Sequence, residues 1–388
     1  MKSNVLMGAL LLTAAVAAAA VSSAFQDAAG RLPPEPSHAT NPSAVIKPTR
    51  VTERVPLDAD DPAIWIDSAN PERSLILGTF KGAGSPDRNL RDGALYVFDL
   101  SGAIVREKTI RGLRRPNNVD VEYGLRLQGR PVDVAVVTER FANRLRVYRL
   151  PDMVAIDGGG IPVFDGEQHR EPMGIALYRR PRDGSVFAIV SRKKGPRRGG
   201  YLWQYRLEDG GDGMVTGVKV RQFGEWSGIK EIEALLVDDA LGYLYASDER
   251  VGVRKYHADP DRPKANEELA LFATKGFAED REGMSIYEVT GTTGYLIVSD
   301  QGADTFHLFR REGEPGDRHH HKKLKSVRLA TIDSDGSEVT NRRLGDQFPD
   351  GLFVAMSDDG TFHYYTWSAI AGDDPEVSGR RSGTESGR

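Results

Sequence analysis

The 388-residue chain contains no cysteine, so it forms no disulfide and offers no thiolate to a metal or to a covalent mechanism. It has no basic stripe either, because its 52 Lys and Arg residues are interspersed among 56 Asp and Glu residues, for a net charge of −4. This balance argues against a nucleic-acid partner. Between residues 48 and 367, almost no stretch shows the 3.6-residue hydrophobic period of an amphipathic helix. We therefore expect a mostly β protein.

A long apolar run stands near the N-terminus, over about residues 5–21, and is followed by Ser22, Ser23 and Ala24. This order is typical of a secretory signal peptide, and we predict residues 1–24 as the signal, with cleavage near Ala24. An uncleaved membrane anchor is the alternative, although the run is Ala-rich and near the lower length limit for a span. We expect a secreted or periplasmic protein whose mature form does not contact the membrane.

The two ends of the chain differ in composition from its middle. Residues 25–44 are rich in Ala, Pro and Ser, and residues 371–388 are rich in Gly, Ser and Arg. Such compositions are typical of a flexible linker and of a disordered tail. We predict one folded domain over residues 45–370 and expect it to be a monomer.

The middle of the chain contains a repeat. Short strand-like runs carry an aromatic residue at spacings of 50, 57, 51 and 53 residues, at Phe98, Tyr148, Tyr205, Tyr256 and Phe309. A second set of runs begins with a carboxylate or an amide and continues into an apolar strand: DDPAIWI, NNVDVEY, EPMGIAL, EIEALLV, REGMSIY and FPDGLFV. Six such units, at a period of about 58 residues, predict an all-β fold, a six-bladed β-propeller with about four antiparallel strands per blade.

In a propeller the innermost strands line a central channel, so the leading polar residues should meet at one end of it. These residues are Asp61, Asn118, Glu171, Glu233, Glu282 and Asp350. A ring of carboxylate and amide oxygens is the environment that Ca²⁺ prefers. Three of the eight His residues stand together at 319–321, where we interpret them as a solvated loop and not as zinc or copper ligands.

In several units, basic side chains stand at the end of the next strand-like run, which is the expected second strand of the blade. They are Lys81 in GTFK, Arg140 in VTERF, and Arg192, Lys193 and Lys194 in VSRKK. If these side chains lie at the same end of the channel as the acids, bound Ca²⁺ and basic groups would together face an anion.

The motifs DADDPAIW, NNVD, IEALLVDDALGYLYASDE, EDREGMSIY, GYLIVSDQG and FPDGLFVA resemble those of the β-propeller phytases in identity, order and spacing. The resemblance covers about residues 50–367. It implies a six-bladed phosphatase that depends on several Ca²⁺ ions and removes phosphate from myo-inositol hexakisphosphate (phytate).

The resemblance also implies roles for individual residues. The calcium ligands would be Asp60, Asp61, Asn118, Asp120, Glu233, Asp280, Glu282, Gln301 and Asp335. Glu249 would match the acid near the attacking water, and Glu233 and Asp61 would complete the catalytic set. Lys81 and Lys193 would match phosphate-binding lysines, and we predict that Arg140 and Arg192 also bind substrate.

Two positions depart from the family pattern. Glu122 stands where the family carries a phosphate-binding Arg, and Met173 stands where it carries a Tyr. Both changes remove phosphate donors, so we expect a substrate pocket rebuilt with Arg126, Arg140 or Arg192. The acidic segment at residues 333–338 is also shorter than the family's, which puts one peripheral calcium site in question.

Two other functions remain open from the sequence. A calcium propeller that hydrolyses lactones or other esters would share the carboxylates but would have little use for Lys81, Lys193 and Lys194. A non-catalytic propeller that binds anionic or protein ligands would use calcium for structure alone. The sequence shows no Ser, Cys or His arrangement typical of a covalent nucleophile, so we predict attack by a metal-activated water.

Overall fold

A computed structural model describes residues 44–56, 58–374 and 377 of the chain. The predicted signal peptide and almost all of the predicted linker and disordered tail lie outside the described residues, so those assignments stay predictions. Within the described residues, no helix combines the length and the apolar character needed to cross a membrane.

Six antiparallel sheets form the blades of a β-propeller, which confirms the predicted fold. The first strand of the chain is β1 (Arg50–Val51). Blade 1 contains β2 (Ala59–Trp65), β3 (Leu75–Phe80), β4 (Gly93–Phe98) and β5 (Ile110–Leu113). Blade 2 contains β6 (Pro116–Leu127), β7 (Arg130–Glu139), β8 (Arg144–Leu150), β9 (Val154–Ala155) and β10 (Ile161–Pro162). Blade 3 contains β11 (Pro172–Arg179), β12 (Val186–Arg192), β13 (Leu202–Asp209) and β14 (Val215–Phe223).

The second half of the ring repeats this arrangement. Blade 4 contains β15 (Ile232–Asp238), β16 (Tyr243–Asp248), β17 (Gly252–His257) and β18 (Ala270–Phe272). Blade 5 contains β19 (Met284–Glu288), β20 (Gly294–Asp300), β21 (Thr305–Arg310) and β22 (Lys323–Arg328). Blade 6 contains β23 (Ser337–Thr340), β24 (Leu352–Ser357), β25 (Thr361–Thr366) and the N-terminal β1. A short helix, α1 (Trp367–Ala371), follows β25.

The N-terminal strand closes the ring. β1 pairs antiparallel with β25, with Arg50 opposite Tyr364, and the N–H of Thr52 donates to the carbonyl of Phe362 at 3.0 Å. This pairing covers the edge of β25, which would otherwise expose unpaired backbone groups.

The first strand of each blade lies innermost. β2, β6, β11, β15, β19 and β23 each contact the first strand of the next blade, so that they form a ring around the channel. The recurring aromatic residues lie on the third strands, where Tyr148 and Tyr256 are fully buried. They pack the blades, as expected from the repeat.

The predicted inner strand of blade 6 is wrong. The run FPDGLFV leads into β24, which is the second strand of that blade, and the inner strand is the short, polar β23. Asp350 is therefore not in the ring of inner-strand residues, and its Oδ2 accepts the N–H of Ser368 at 2.7 Å, at the start of α1. The sequence pointed to β24 because four residues with the sequence SEVT carry too little apolar signal to stand out.

The blades share six hydrophobic clusters among the described residues, and each cluster joins two neighbouring blades. Trp65, for example, packs in the cluster between blades 1 and 2, and its Nε1 donates to Asp133 Oδ2 of blade 2 at 3.1 Å. Since no blade has a core of its own, the packing between blades fixes where the ends of the inner strands stand.

Candidate active site

The start of each inner strand lies beside the end of the second strand, because the two strands are antiparallel. Ala59 pairs with Phe80 in blade 1, and Ile232 pairs with Asp248 in blade 4. Polar side chains from these two positions therefore meet at one end of the channel, which we call the mouth. The mouth residues are Asp58, Asp60, Lys81, Asn117, Arg140, Lys193, Lys230, Glu233, Glu249, Asp280, Glu282, Gln301 and Asp335.

A β-bulge interrupts the start of the inner strand in blades 1 to 4. The extra residue re-aims side chains, so that Asp60 faces the mouth while Asp61 lines the channel. A hydroxyl on the second strand holds the bulge: Thr79 Oγ1 accepts the N–H of Asp61 at 2.9 Å, and Thr138 Oγ1 accepts that of Asn118 at 3.0 Å. These hydroxyls were not among the predicted site residues, although Ser or Thr recurs in GTFK, VTER, VSRK, ASDE, VSDQ and MSDD.

Lys81 lies among three carboxylates on one side of the mouth. Its Nζ is 3.5 Å from Asp60, 3.4 Å from Asp58 and 3.1 Å from Asp335. Burial raises the pKa of Asp60 well above its ordinary value, Lys81 opposes that rise, and Glu233 adds to it. Burial alone would lower the pKa of Lys81, but Asp60 and Asp335 more than offset it, so the ammonium stays charged.

A second lysine, Lys230, lies among another group of acids at the mouth. Lys230 Nζ is 2.9 Å from Glu249, 2.5 Å from Asp280 and 3.1 Å from Glu282. We call these three carboxylates the acid triad. Burial, followed by neighbouring carboxylates, raises the pKa of Glu249 to about 9 and that of Glu282 to about 8. Asp280 has a lowered pKa, because hydrogen bonds from Arg250 and Lys230 outweigh its burial.

Glu233 lies between the two groups. Asn117 Nδ2 donates to Glu233 Oε1 at 2.7 Å and to Asp60 Oδ2 at 3.2 Å, and thereby joins blades 1, 2 and 4. A Cβ on Gly174 would stand 1.8 Å from the carbonyl oxygen of Glu233, so only glycine lets blade 3 approach this closely. Asn117 was not among the predicted site residues, although it is the first residue of NNVD.

The mouth carries oxygen atoms that could hold a metal ion. Two groups of carboxylates have oxygens within 4.8 Å of one another: Glu231, Glu233 and Glu249, and the acid triad. Within the described residues, the buried side-chain oxygens without a hydrogen-bond partner include Asp60 Oδ1, Asn117 Oδ1, Asn118 Oδ1 and Glu249 Oε1. Buried oxygens that lack a donor are costly unless a cation binds them, and Ca²⁺ takes six to eight oxygen ligands. The predicted ligands Gln301 and Asp335 lie beside this set, with Gln301 Nε2 donating to Asp335 Oδ1 at 2.6 Å.

Cationic side chains form the other wall of the mouth. Arg140 Nε is 3.5 Å from Glu171 Oε2, and Lys193 forms an ion pair with Glu231. Arg140 and Lys193 line a surface cavity of about 420 Å³ together with Arg88 and other basic side chains. Burial and then the nearby Arg140 lower the pKa of Lys193. The predicted substrate residues Lys81, Arg140 and Lys193 thus all lie at the mouth.

Arg192 lies inside blade 3. Its side chain is 1% exposed, and its guanidinium donates to the carbonyls of His169 and Gly200, pairs with Glu167 and stacks on Phe164. Because the side chain is buried and both of its terminal nitrogens already donate, its position argues against the predicted contact with substrate. Arg192 and Lys193 are adjacent, so their side chains point to opposite faces, and the sequence does not show which of the two faces the mouth.

Seven carboxylates line the channel itself, around a cavity of about 300 Å³. Two of them, Asp238 and Glu288, form ion pairs with Arg311. We call the other five the channel acids: Asp61, Asp120, Glu122, Asp239 and Glu338. Each accepts at least one backbone N–H, and three of these bonds cross between blades: Val119 N to Asp61 at 3.1 Å, Leu177 N to Asp120 at 2.7 Å, and Arg179 N to Asp239 at 3.0 Å. Two predicted calcium ligands, Asp61 and Asp120, are therefore also links between inner strands.

Glu122 belongs to the channel and not to the mouth. It is five residues further along β6 than Asn117, which is about 16 Å along a strand, and its carboxylate interacts with Asp239. Burial and then Asp239 raise the pKa of Glu122 to about 9. This position argues against the expectation that Glu122 removes a phosphate donor, because the predicted phosphate-binding residues Lys81 and Lys193 lie at the mouth. Met173, the other departure, is buried beside the mouth at the start of β11.

Comparison with known proteins shows what this chain is similar to. The sequence model of the phytase family matches residues 3–364 of the chain. A 3-phytase of Bacillus subtilis (strain 168) is 31% identical over 360 residues, which are 86% of this chain and 87% of that protein. A solved structure described as "Structure of Dos1 propeller" has a TM-score of 0.40 at 11% identity, covering 79% of this chain and 68% of that one. On the family match and the curated relative, the chain belongs to the phytase family of phosphoric monoester hydrolases.

Proposed function

We propose that this protein is a calcium-dependent phytase that releases phosphate from phytate at the mouth of the propeller. One observation carries the proposal: the mouth presents oxygen ligands for a hard cation next to Lys81, Arg140 and Lys193. A polyanionic substrate can be bound both by a metal ion held on these oxygens and by the basic side chains. Phosphoryl transfer also needs positive charge around the equatorial oxygens of the transferred group, which cations and basic side chains supply.

Bound calcium would supply positive charge to the phosphate oxygens and acidify a coordinated water. The chain's own groups complete the reaction. Glu249 is held at the centre of the acidic part of the mouth, where it is placed to orient the attacking water and accept its proton. Lys81, Arg140 and Lys193 would bind phosphate groups of the substrate, and Glu233 with Asp60 would hold the cation.

We also propose that the protein works outside the cytoplasm as a monomer. The support for export is the sequence pattern of residues 1–24. All residues of the mouth come from one chain, so the proposed activity requires no second subunit.

The test is a phosphate-release assay on purified protein with phytate, a simple phosphomonoester and a lactone, each with calcium and with chelator. We expect phosphate release from phytate in calcium and its loss in chelator. Turnover of the lactone without release of phosphate would favour the esterase alternative. A protein inactive on all three substrates, but able to bind calcium, would favour the non-catalytic alternative.

A further inference from the structure

Lys230 contacts all three members of the acid triad at once, with its Nζ 2.5 to 3.1 Å from one oxygen of each. These oxygens form one of the two groups that are close enough together to bind a single cation. An ammonium and a calcium ion cannot both lie at the centre of the same three carboxylates. The lysine and the metal would therefore compete for this position.

The backbone of Lys230 is held in place, whereas its side chain is partly exposed. The indole of Trp226 donates to the carbonyl of Lys230 and stacks on Tyr201, with ring centroids 4.8 Å apart. Ser227 anchors the same loop through two hydrogen bonds to Asp248. The side chain of Lys230 is 33% exposed, so its rotatable stem can swing outward without moving β15.

The ammonium satisfies the acid triad only in part. Glu249 Oε1 has no hydrogen-bond partner among the described residues, although the residue is fully buried. A calcium ion, which accepts six to eight oxygen ligands, can use that oxygen as well. Lys230 thus neutralises the triad without filling its coordination capacity.

We infer that Lys230 is an internal competitor of the metal, an ammonium that occupies the acid triad until calcium displaces it. The inference rests on the proposed use of calcium at the mouth and adds a residue that tunes it. Occupation by Lys230 lowers the fraction of molecules able to bind calcium there, and so weakens the apparent affinity by the same factor. It also lets the protein fold before the metal arrives, because the triad is not left without a cation.

The experiment compares calcium binding by metal-free wild-type protein and Lys230→Gln, measured by titration calorimetry with CaCl2 alone. We expect the variant to bind calcium at this site about tenfold or more tightly, the factor that a charge-assisted hydrogen bond of ordinary strength represents. The metal-free variant should melt at a lower temperature than wild type, and calcium should raise its melting temperature by more.

Arg250→Gln is the matched control. It removes the same charge from a side chain that touches Asp280 from outside, at 2.6 Å, without entering the triad. We expect its calcium affinity to rise by less than about threefold, as for a half-exposed ion pair. Equal gains for the two variants would mean that charge alone matters, and would overturn the inference.

Lys230→Gln that fails to fold without metal can be purified in calcium, and its affinity measured by competition with a chelating indicator. If the calcium affinity measured by this competition equals that of wild type, the inference is also overturned. The result is separable from the proposed function: wild-type protein that hydrolyses phytate while Lys230→Gln binds calcium no better refutes the role of Lys230 alone. An inactive wild type with a tighter-binding variant refutes the phytase proposal alone.

Discussion

The mouth and the channel are two acidic regions of the same ring of strands, and they neutralise their carboxylates differently. At the mouth, Lys81 and Lys230 each lie among three carboxylates, and some buried oxygens have no donor. In the channel, each of the five channel acids accepts a backbone N–H, and the buried Arg311 pairs with the two remaining carboxylates, Asp238 and Glu288. A backbone amide is fixed and cannot be exchanged, whereas an ammonium on a flexible stem can give way to a metal ion.

We interpret the channel acids as structural links and the mouth acids as the groups available for chemistry. Inner strands of neighbouring blades diverge, so their backbones cannot pair directly, and carboxylates such as Asp61 and Asp120 bridge them. The mouth acids are instead held by lysine side chains, which have rotatable stems. Asp60 and Asp61 are adjacent acids of the same type, but a bulge turns Asp60 to the mouth and Asp61 to the channel. We therefore expect them to have different roles.

The largest effect expected from this comparison is on turnover. Glu249→Gln should lower kcat for phytate by about 10²- to 10⁴-fold, the usual contribution of a positioned general base. The matched control is Glu338→Gln in the channel, which should leave kcat unchanged. Steady-state kinetics of the two variants check this, and equal losses in both would show that the mouth is not where the chemistry occurs.

The second prediction concerns metal removal and pH. Burial raises the folded-state pKa of Asp120 to about 6, of Asp239 to about 7 and of Glu122 to about 9, and that of Glu249 to about 9. A carboxyl whose pKa is higher in the folded than in the unfolded state binds more protons when folded. The metal-free protein should therefore lose stability as pH rises from about 4 to 9.

Calcium should remove the part of this slope that comes from the mouth and raise the stability by about 3 kcal/mol at a hundredfold excess over Kd. Glu122→Gln should remove the contribution of Glu122 to the slope, with or without calcium, and leave those of Asp120 and Asp239. Melting temperatures measured at several pH values, in chelator and in calcium, test both statements. A chelator-treated protein that grows more stable between pH 5 and 9 would contradict the assignment of these shifts.

The third prediction isolates a channel link. Asp120→Ala leaves the N–H groups of Val121 and Leu177 without their acceptor, which should lower the free energy of unfolding by about 1–3 kcal/mol. Asp120→Asn keeps one acceptor oxygen and should cost less. Urea unfolding in chelator measures the loss. If Asp120 is also a calcium ligand, the loss will be larger in calcium, and an unchanged midpoint in both conditions would exclude the linking role.

The smallest expected effect is on substrate binding by the basic side chains of the mouth. Lys193→Ala should raise KM for phytate by less than about tenfold and leave kcat nearly unchanged, because a partly exposed cation contributes similar binding to substrate and transition state. Lys275→Ala, which removes an exposed lysine from another loop, should change neither constant. A fall in kcat with KM constant for Lys193→Ala would place this lysine at the reacting phosphate.

Much of the fold was open to sequence reasoning, because a propeller repeats its signals. Third-strand aromatics such as Tyr148 recur once per blade, and the closing strand follows from the need to cover an edge. The inner strand of blade 6 could not be found this way, since β23 is short and polar. The Ser and Thr residues that hold the bulges were visible in the sequence, but their meaning depends on hydrogen bonds that only the paired strands create.

The sequence by itself determined the number of blades, the family, and the residue types available for an anion and a cation, because these depend on local pattern and period. The tertiary structure decided which of those residues share a region. It placed Asp60 at the mouth and Asp61 in the channel, and it buried Arg192 inside a blade while leaving Lys193 at the surface of the mouth. It also brought Lys230 into the acid triad across a blade boundary. The physical reason is that bulges and the packing between blades set the direction of each side chain, and neither is encoded in the spacing of residues along one strand.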